Sequence, residues 1–146
     1  MQRRTFCFRS SASVALLMAA PWAVAAKPSR RTLREVPLAE LSCETLADHL
    51  NTTFHVHAGE QGRLPLLLIR VDVKEPSPRE NPNAPDAGFE RFSLVFAGHR
   101  ADSLPQETYF FEHPQIGRFE LFIVAVISLD PARHKYEAVF NRPPVT

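Results

Sequence analysis

The stretch Arg118-Phe-Glu-Leu-Phe-Ile-Val-Ala-Val-Ile-Ser128 decides how this chain is read. It sets Phe119, Leu121, Ile123, Ala125 and Ile127 against Arg118, Glu120, Phe122 and Val124. Apolar residues that return at every second position belong to a β-strand, because successive side chains leave a strand on opposite faces. The same period recurs along the chain. Phe54 and Val56 oppose His55 and His57, and Phe92, Leu94 and Phe96 (within 89–97) oppose Arg91, Ser93 and Val95. Residues 64–75 set Leu67, Ile69, Val71 and Val73 against Leu66, Leu68, Arg70, Asp72 and Lys74. Residues 107–113 form a further run, and Tyr136, Ala138 and Phe140 alternate with Lys135, Glu137 and Val139. About six strands are therefore expected.

The links between them are short. Ala58-Gly-Glu-Gln-Gly62 and His113-Pro-Gln-Ile-Gly117 each end on a glycine, as a turn with a left-handed residue requires, and Asp130-Pro-Ala-Arg133 is another turn. Short links join antiparallel neighbours, since a parallel pair needs a long crossover. The exception is Pro76 to Gly88, with four prolines and little to bury, which is expected to be a mobile hairpin tip. One short N-terminal helix is expected at about 42–50, capped by Ser42, with Glu44 in its first turn and Leu46 and Leu50 one turn apart. Asn51-Thr52-Thr53 would end it. Leu66–Val71 and Phe122–Val126 are apolar at successive positions, which predicts strands covered on both faces by the helix or by another subunit. The fold class is mainly β: a small antiparallel meander curled into a barrel or half-barrel of about six strands.

Composition bounds the rest. The 146 residues are 45% apolar and 23% charged, with 17 basic and 16 acidic side chains, which fits one globular domain and excludes a disordered or collagen-like chain. A formal charge of +1 gives no general attraction to nucleic acid. The N-terminus reads as an address. Arg3, Arg4 and Phe6 precede the apolar core Val14–Ala20 and the small residues around Ala23–Ala26, the three parts of a secretory signal. The arginine pair followed by x-Phe resembles a twin-arginine signal, although Gln2 stands where that motif has Ser or Thr. The expected organisation is an export signal over 1–26, a basic flexible leader over 27–37, a single β-rich domain over 38–142 and a tail over 143–146. Cleavage after Ala25 or Ala26 would leave 14 basic against 16 acidic residues and the single cysteine Cys43, so no internal disulfide. The expected location is the periplasm or the extracellular space, with no membrane span after signal removal.

The candidate chemistry is thin. His55-x-His57 places two imidazoles on one strand face, a spacing seen in metal sites, but no further ligand stands at a recognisable spacing, and a solvated polar face is the plainer reading. His113, Asp102, Ser103 and Ser93 invite a Ser-His-Asp triad, yet no nucleophile elbow is present. Glu112 and Glu120 flank one predicted hairpin and read either as paired carboxylates or as outward strand positions. Zincin, P-loop and dinucleotide motifs are absent. No catalytic, cofactor or metal residue is therefore assigned, and no cofactor is expected. The phenylalanines of the C-terminal half, Phe92, Phe96, Phe110, Phe111, Phe119 and Phe122, read as core filling, with an apolar ligand cavity or a binding face as the functional alternatives.

The blocks Phe92-Ser-Leu-Val-Phe-Ala-Gly98, Leu104-Pro-Gln-Glu-Thr-Tyr109, Glu112-His-Pro-Gln-Ile-Gly117, Glu120-Leu-Phe-Ile-Val124 and Tyr136-Glu-Ala-Val-Phe-Asn141 form an ordered series. With the leading Leu41, Leu46, Leu50 and Phe54, this series resembles an uncharacterised bacterial domain family of unknown function over about 38–142. The resemblance implies small proteins, some of them accessory to surface or phage-tail-like assemblies, and assigns no catalytic residue. The export signal, the Pro-rich tip and Glu107 in place of a common glycine depart from the pattern. Two functions are expected from this reading: an exported, non-enzymatic interaction module that binds a protein partner or itself, or a carrier enclosing a small apolar ligand.

Overall fold

A computed structural model describes residues 32–76 and 80–145. The export signal with Arg3, Arg4 and Phe6, and the first part of the leader, lie outside the described residues. The chain runs through a 3-10 turn at Leu38–Glu40, helix α1 (Cys43–Ala47), β1 (Thr53–His57), β2 (Arg63–Val73), β3 (Glu90–His99), β4 (Glu107–His113), β5 (Gly117–Val126) and β6 (Arg133–Arg142). The six strands close into a barrel in the order β1-β2-β3-β6-β5-β4, antiparallel throughout. The period-two reading thus holds in number, class and approximate bounds, and of the barrel and half-barrel expected the closed form is the one found.

Alternation assigns the interior. Phe54, Val56, Phe92, Leu94, Phe96, Phe111, Phe119, Leu121, Ile123, Tyr136 and Ala138 are all buried. Their rings stack on one another: Phe54 meets Phe96 and Phe119 edge-on at 5.5 and 6.3 Å between centroids, and Phe92 lies flat on Phe140 at 4.3 Å. Each such pair adds about 0.5–1.5 kcal/mol beyond the area it buries.

Two expectations about strand faces are corrected. In β2 the single alternation over 64–75 does not hold: Leu64, Leu66 and Leu68 are buried, Leu67 and Ile69 half-buried. The register against β3 slips between Leu68 and Arg70, so Ile69 is an extra residue and Val71, opposite Leu94, points inward after it. A β-bulge reverses the phase of alternation, which is why Leu66–Val71 reads as apolar on two faces. In β5 the second face is open: Phe122 is 48% exposed, and Ile127, which the alternation groups with Phe119, Leu121 and Ile123, lies past the strand end at 97%. The strand buried along nearly its whole length is β3, from Phe92 to Gly98.

The helix is shorter than the sequence suggests. Ser42 Oγ accepts the Thr45 amide at 3.0 Å as the expected cap, and Leu46 is fully buried, but Leu50 is 42% exposed. The turn after α1 closes by bonds from Leu50 to Ala47 and Thr52 to His49, and Asn51 takes a left-handed φ of 63°. Gly62 and Gly117 are left-handed as their turns require, at φ 78° and 118°.

The ladder between β5 and β6 is brief, covering only Val124–Val126 against Lys135–Tyr136–Glu137. Below it the two strands part, and the N-terminal segment fills the seam. The Arg118 amide donates to Arg34 O at 2.8 Å and the Val36 amide to Arg118 O at 2.7 Å, a parallel bridge. Val36 and Leu41 are buried in the core cluster, with Leu38 packed against it. The end of the basic leader is therefore a strap on β5, not a solvated tail. Arg142 fastens the far side: its Nε meets Glu90 Oε2 at 3.2 Å, its Nη1 donates to Leu38 O at 2.6 Å and its Nη2 donates to Leu41 O. Glu90 Oε1 in turn accepts the Cys43 amide at 3.2 Å.

The described part of the Pro-rich connection, residues 80–88, is a run of turns rather than a loose tip. Arg91 reaches back to Glu80 and, at 2.9 Å, to Asp86.

Candidate functional site

The sequence-predicted residues fall into separate places. His55 and His57 leave β1 outward, as alternation with the buried Phe54 and Val56 requires. Barrel closure brings β4 alongside, with His55 opposite Glu112 and His57 opposite Phe110. Glu112 Oε1 lies 2.8 Å from His57 Nε2, and Glu112 Oε2 lies 3.3 Å from Arg63 Nε on β2. On the other side, the Arg118 guanidinium stacks 3.9 Å over the Phe110 ring. Among the described residues, His55 Nδ1 and Arg118 Nε are buried without a hydrogen-bond partner, and the His57 Nε2 approach to Glu112 is close but not aligned as a hydrogen bond. Burial, with the Arg63 charge and His57 adding to it, holds His55 below the usual imidazole range against the opposing pull of Glu112.

This face gathers two imidazoles, two guanidinium groups and the Glu112 carboxylate. Among the described residues, no three His, Cys, Asp or Glu side chains converge to hold a metal ion. Glu112 and Glu120 are not a carboxylate pair: Glu112 opposes Arg118, and Glu120 opposes Phe110 and is exposed. Sequence reasoning missed the Glu112–His57–Arg63 contact because its partners come from three strands. Only the β1–β4 closure, separated by about fifty residues of chain, brings them together.

The Ser-His-Asp candidates are dispersed. His113 ends β4 on the inside, where its Nε2 lies 3.1 Å from Thr52 Oγ1, its Nδ1 accepts the Gln115 amide at 3.3 Å, and its ring packs on His49 and Phe54. Asp102 and Ser103 sit in the β3–β4 connection, at the opposite end of the antiparallel barrel, and Ser93 points outward from β3 between Asp72 and Val139. Burial and the neighbouring imidazoles of His49 and His55 hold His113 below the usual imidazole range. Tyr136, deep in the barrel, ties Asp102 and Leu104 together: its hydroxyl donates to Asp102 O and accepts the Leu104 amide, both at 3.1 Å.

The phenylalanines divide. Phe92, Phe96, Phe111 and Phe119 occupy the barrel interior, the space a carrier would give to its cargo. Phe110 supports Arg118, and Phe122 stands in solvent. Cys43 is a free thiol, half-buried, and burial together with the nearby Glu90 raises it above its ordinary value.

Among the described residues, several large apolar side chains stand open to water. Val139 on β6 is 64% exposed and Ile127 and Leu129 on the β5–β6 turn are each 97% exposed. That turn is braced: the Asp130 amide donates to Ser128 Oγ at 3.2 Å, the Ala132 amide to Asp130 Oδ1 at 2.8 Å, and the Arg100 amide to Ala132 O at 3.2 Å. Scattered single apolar residues are ordinary on a surface, but a contiguous group marks a contact. No helix among the described residues is long and apolar enough to cross a membrane.

Residues 41–140 match a family model described as a domain of unknown function, DUF6916. No curated protein and no solved structure matches the chain.

Proposed function

The chain belongs to the DUF6916 family, a domain of unknown function, and we propose that it is an exported, non-enzymatic binding module whose contact surface is the apolar ground around β5 and β6. One observation carries this reading: a braced turn holds Ile127 and Leu129 almost wholly in water, and Phe122 and Val139 on the strands it joins are exposed as well. Holding such a turn in one shape lowers the ordering cost of binding. Export rests on the sequence, on Arg3, Arg4, Phe6 and the apolar run that follows them.

The test is native mass spectrometry of the tagged chain taken gently from its own envelope fraction. A complex, with a partner polypeptide or with itself, is expected there, and it is expected to be lost when Ile127→Lys and Leu129→Lys are combined. A bare monomer from that fraction, or a complex indifferent to those substitutions, refutes the reading.

A further inference from the structure

The exposed apolar ground has an order of its own. The β5–β6 register pairs Val124 with Glu137, Ala125 with Tyr136 and Val126 with Lys135. Two residues beyond the end of this ladder, Phe122 on β5 and Val139 on β6 lie at the same level along the two strands, and both are exposed. On the outward face the sequence of features is then Phe122 with Val139, Val124 with Glu137, Val126 with Lys135, and the tip of Ile127 and Leu129. Apolar ground lies at both ends, with one acid and one base between them. Among the described residues, neither Lys135 nor Glu137 takes part in an ion pair.

We propose that this face binds a second copy of the chain, the two β5–β6 faces packing about a two-fold axis that passes between Glu137 and Lys135. The proposal rests on the binding-module reading above and names its partner. A two-fold contact requires a patch that is complementary to itself, residue i meeting j while j meets i. An axis at the level of Ala125 and Tyr136 satisfies this. It brings Glu137 of each copy onto Lys135 of the other, making two ion pairs. It brings Phe122 of each copy to the level of Ser128 of the other, between that copy's Ile127 and Leu129. Val139 meets the aliphatic stem of Arg133, which can cover apolar ground while its charge stays in water. An unrelated protein or a lipid surface imposes no such palindromic order of apolar, acidic, basic and apolar positions.

The experiment is sedimentation velocity on the purified full-length gene product, its intact mass fixing the form measured, from about 1 µM to about 100 µM, a range that spans modest dimer affinities. The expected result is a two-copy species whose fraction grows with concentration. Phe122→Glu and Leu129→Glu, both at exposed positions, should each return a monomer with unchanged circular dichroism and melting. Lys135→Glu should weaken the dimer by about tenfold, since it removes two ion pairs at once. The exchange Lys135→Glu with Glu137→Lys should restore it. A monomer throughout the range overturns the proposal, as does a dimer that survives Phe122→Glu or a charge exchange that fails to rescue. A monomer that still captures a different polypeptide in the envelope through Ile127 and Leu129 removes the dimer and leaves the binding module standing. A monomer with no partner there removes both.

Discussion

Tyr136 shows how much one polar atom can hold inside an apolar barrel. Its ring fills the interior opposite Phe96, while its hydroxyl bonds both Asp102 O and the buried Leu104 amide, so the long β3–β4 connection is tied down from within. Tyr109 adds a second tie from its hydroxyl to Pro105 O at 2.9 Å. Burial raises both phenols above their ordinary value, so neither ionises under ordinary conditions and both keep the proton they donate. Tyr136→Phe keeps the ring and removes the bonds. The Leu104 amide would then be buried without an acceptor, an omission that costs about 1–3 kcal/mol. Urea unfolding should show a lower midpoint with an unchanged slope, because the surface exposed on unfolding stays the same. A midpoint equal to that of the parent would mean that water replaces the hydroxyl. The alternation groups Tyr136 with Ala138 and Phe140, but nothing in the sequence reveals its hydroxyl's partners 32 and 34 residues away.

Among the elements, those whose geometry is local were the legible ones. Strand periods, the Ser42 cap and the glycine turns at Gly62 and Gly117 all follow from neighbours in sequence. Ile69 was not legible, because a bulge is an agreement between two strands: the extra residue is defined only against Val95 and Phe96 on β3. The strap was not legible for the same reason. Arg34–Val36 is charged and proline-flanked, and it reads as a tail until the parted β5–β6 seam supplies open backbone for it to bond. A groove of about 410 Å³ beside it, lined by Glu35, Val36, Pro37, Leu38, Phe119 and Glu120, marks where that seam remains incompletely filled. Gly117 is the residue on which the strap depends. A Cβ there would lie 2.4 Å from Arg34 O and 3.1 Å from Val36 Cγ2, and φ of 118° already strains any L side chain. Gly117→Ala should therefore cost about 1–3 kcal/mol from backbone strain, with more from displacing the strap. Amide exchange at Val36 and Arg118 should accelerate more than exchange in β3. Uniform acceleration across the barrel would instead show that the strap and barrel open as one unit.

At the scale of the whole molecule, the titration of His55 and His113 couples acid to the integrity of the barrel. His113 closes the interior at the end where β1 begins, and both of its nitrogens are committed. Nδ1 accepts the Gln115 amide, which leaves Nε2 to carry the proton towards Thr52 Oγ1, and Thr52 in turn donates to His49 O at 2.6 Å. A second proton would have to sit on Nδ1, facing the Gln115 N–H, so the chain of bonds fits only the neutral ring. Burial and the adjacent imidazoles of His49 and His55 lower the folded pKa of His113, and burial with Arg63 lowers that of His55, against the pull of Glu112. The sign follows from proton counts. Below the unfolded value of about 6.5 the unfolded chain binds protons that the folded chain refuses, so acid favours unfolding. The stability these neutral rings confer is complete above about pH 6.5 and is lost as pH falls through their lower folded values. The slope contributed by His113 in that interval is at most about 1.4 kcal/mol per pH unit. Urea midpoints measured from neutral pH downward should fall below about pH 6.5. His113→Gln should be less stable at neutral pH, having lost its ring contacts with Phe54 and His49, yet show a shallower fall in acid. A fall of equal steepness in that variant would assign the acid sensitivity to the outward His55 face. The dimer contact proposed above uses neither ring, so the same measurement at two protein concentrations separates unfolding driven by acid from dissociation driven by dilution.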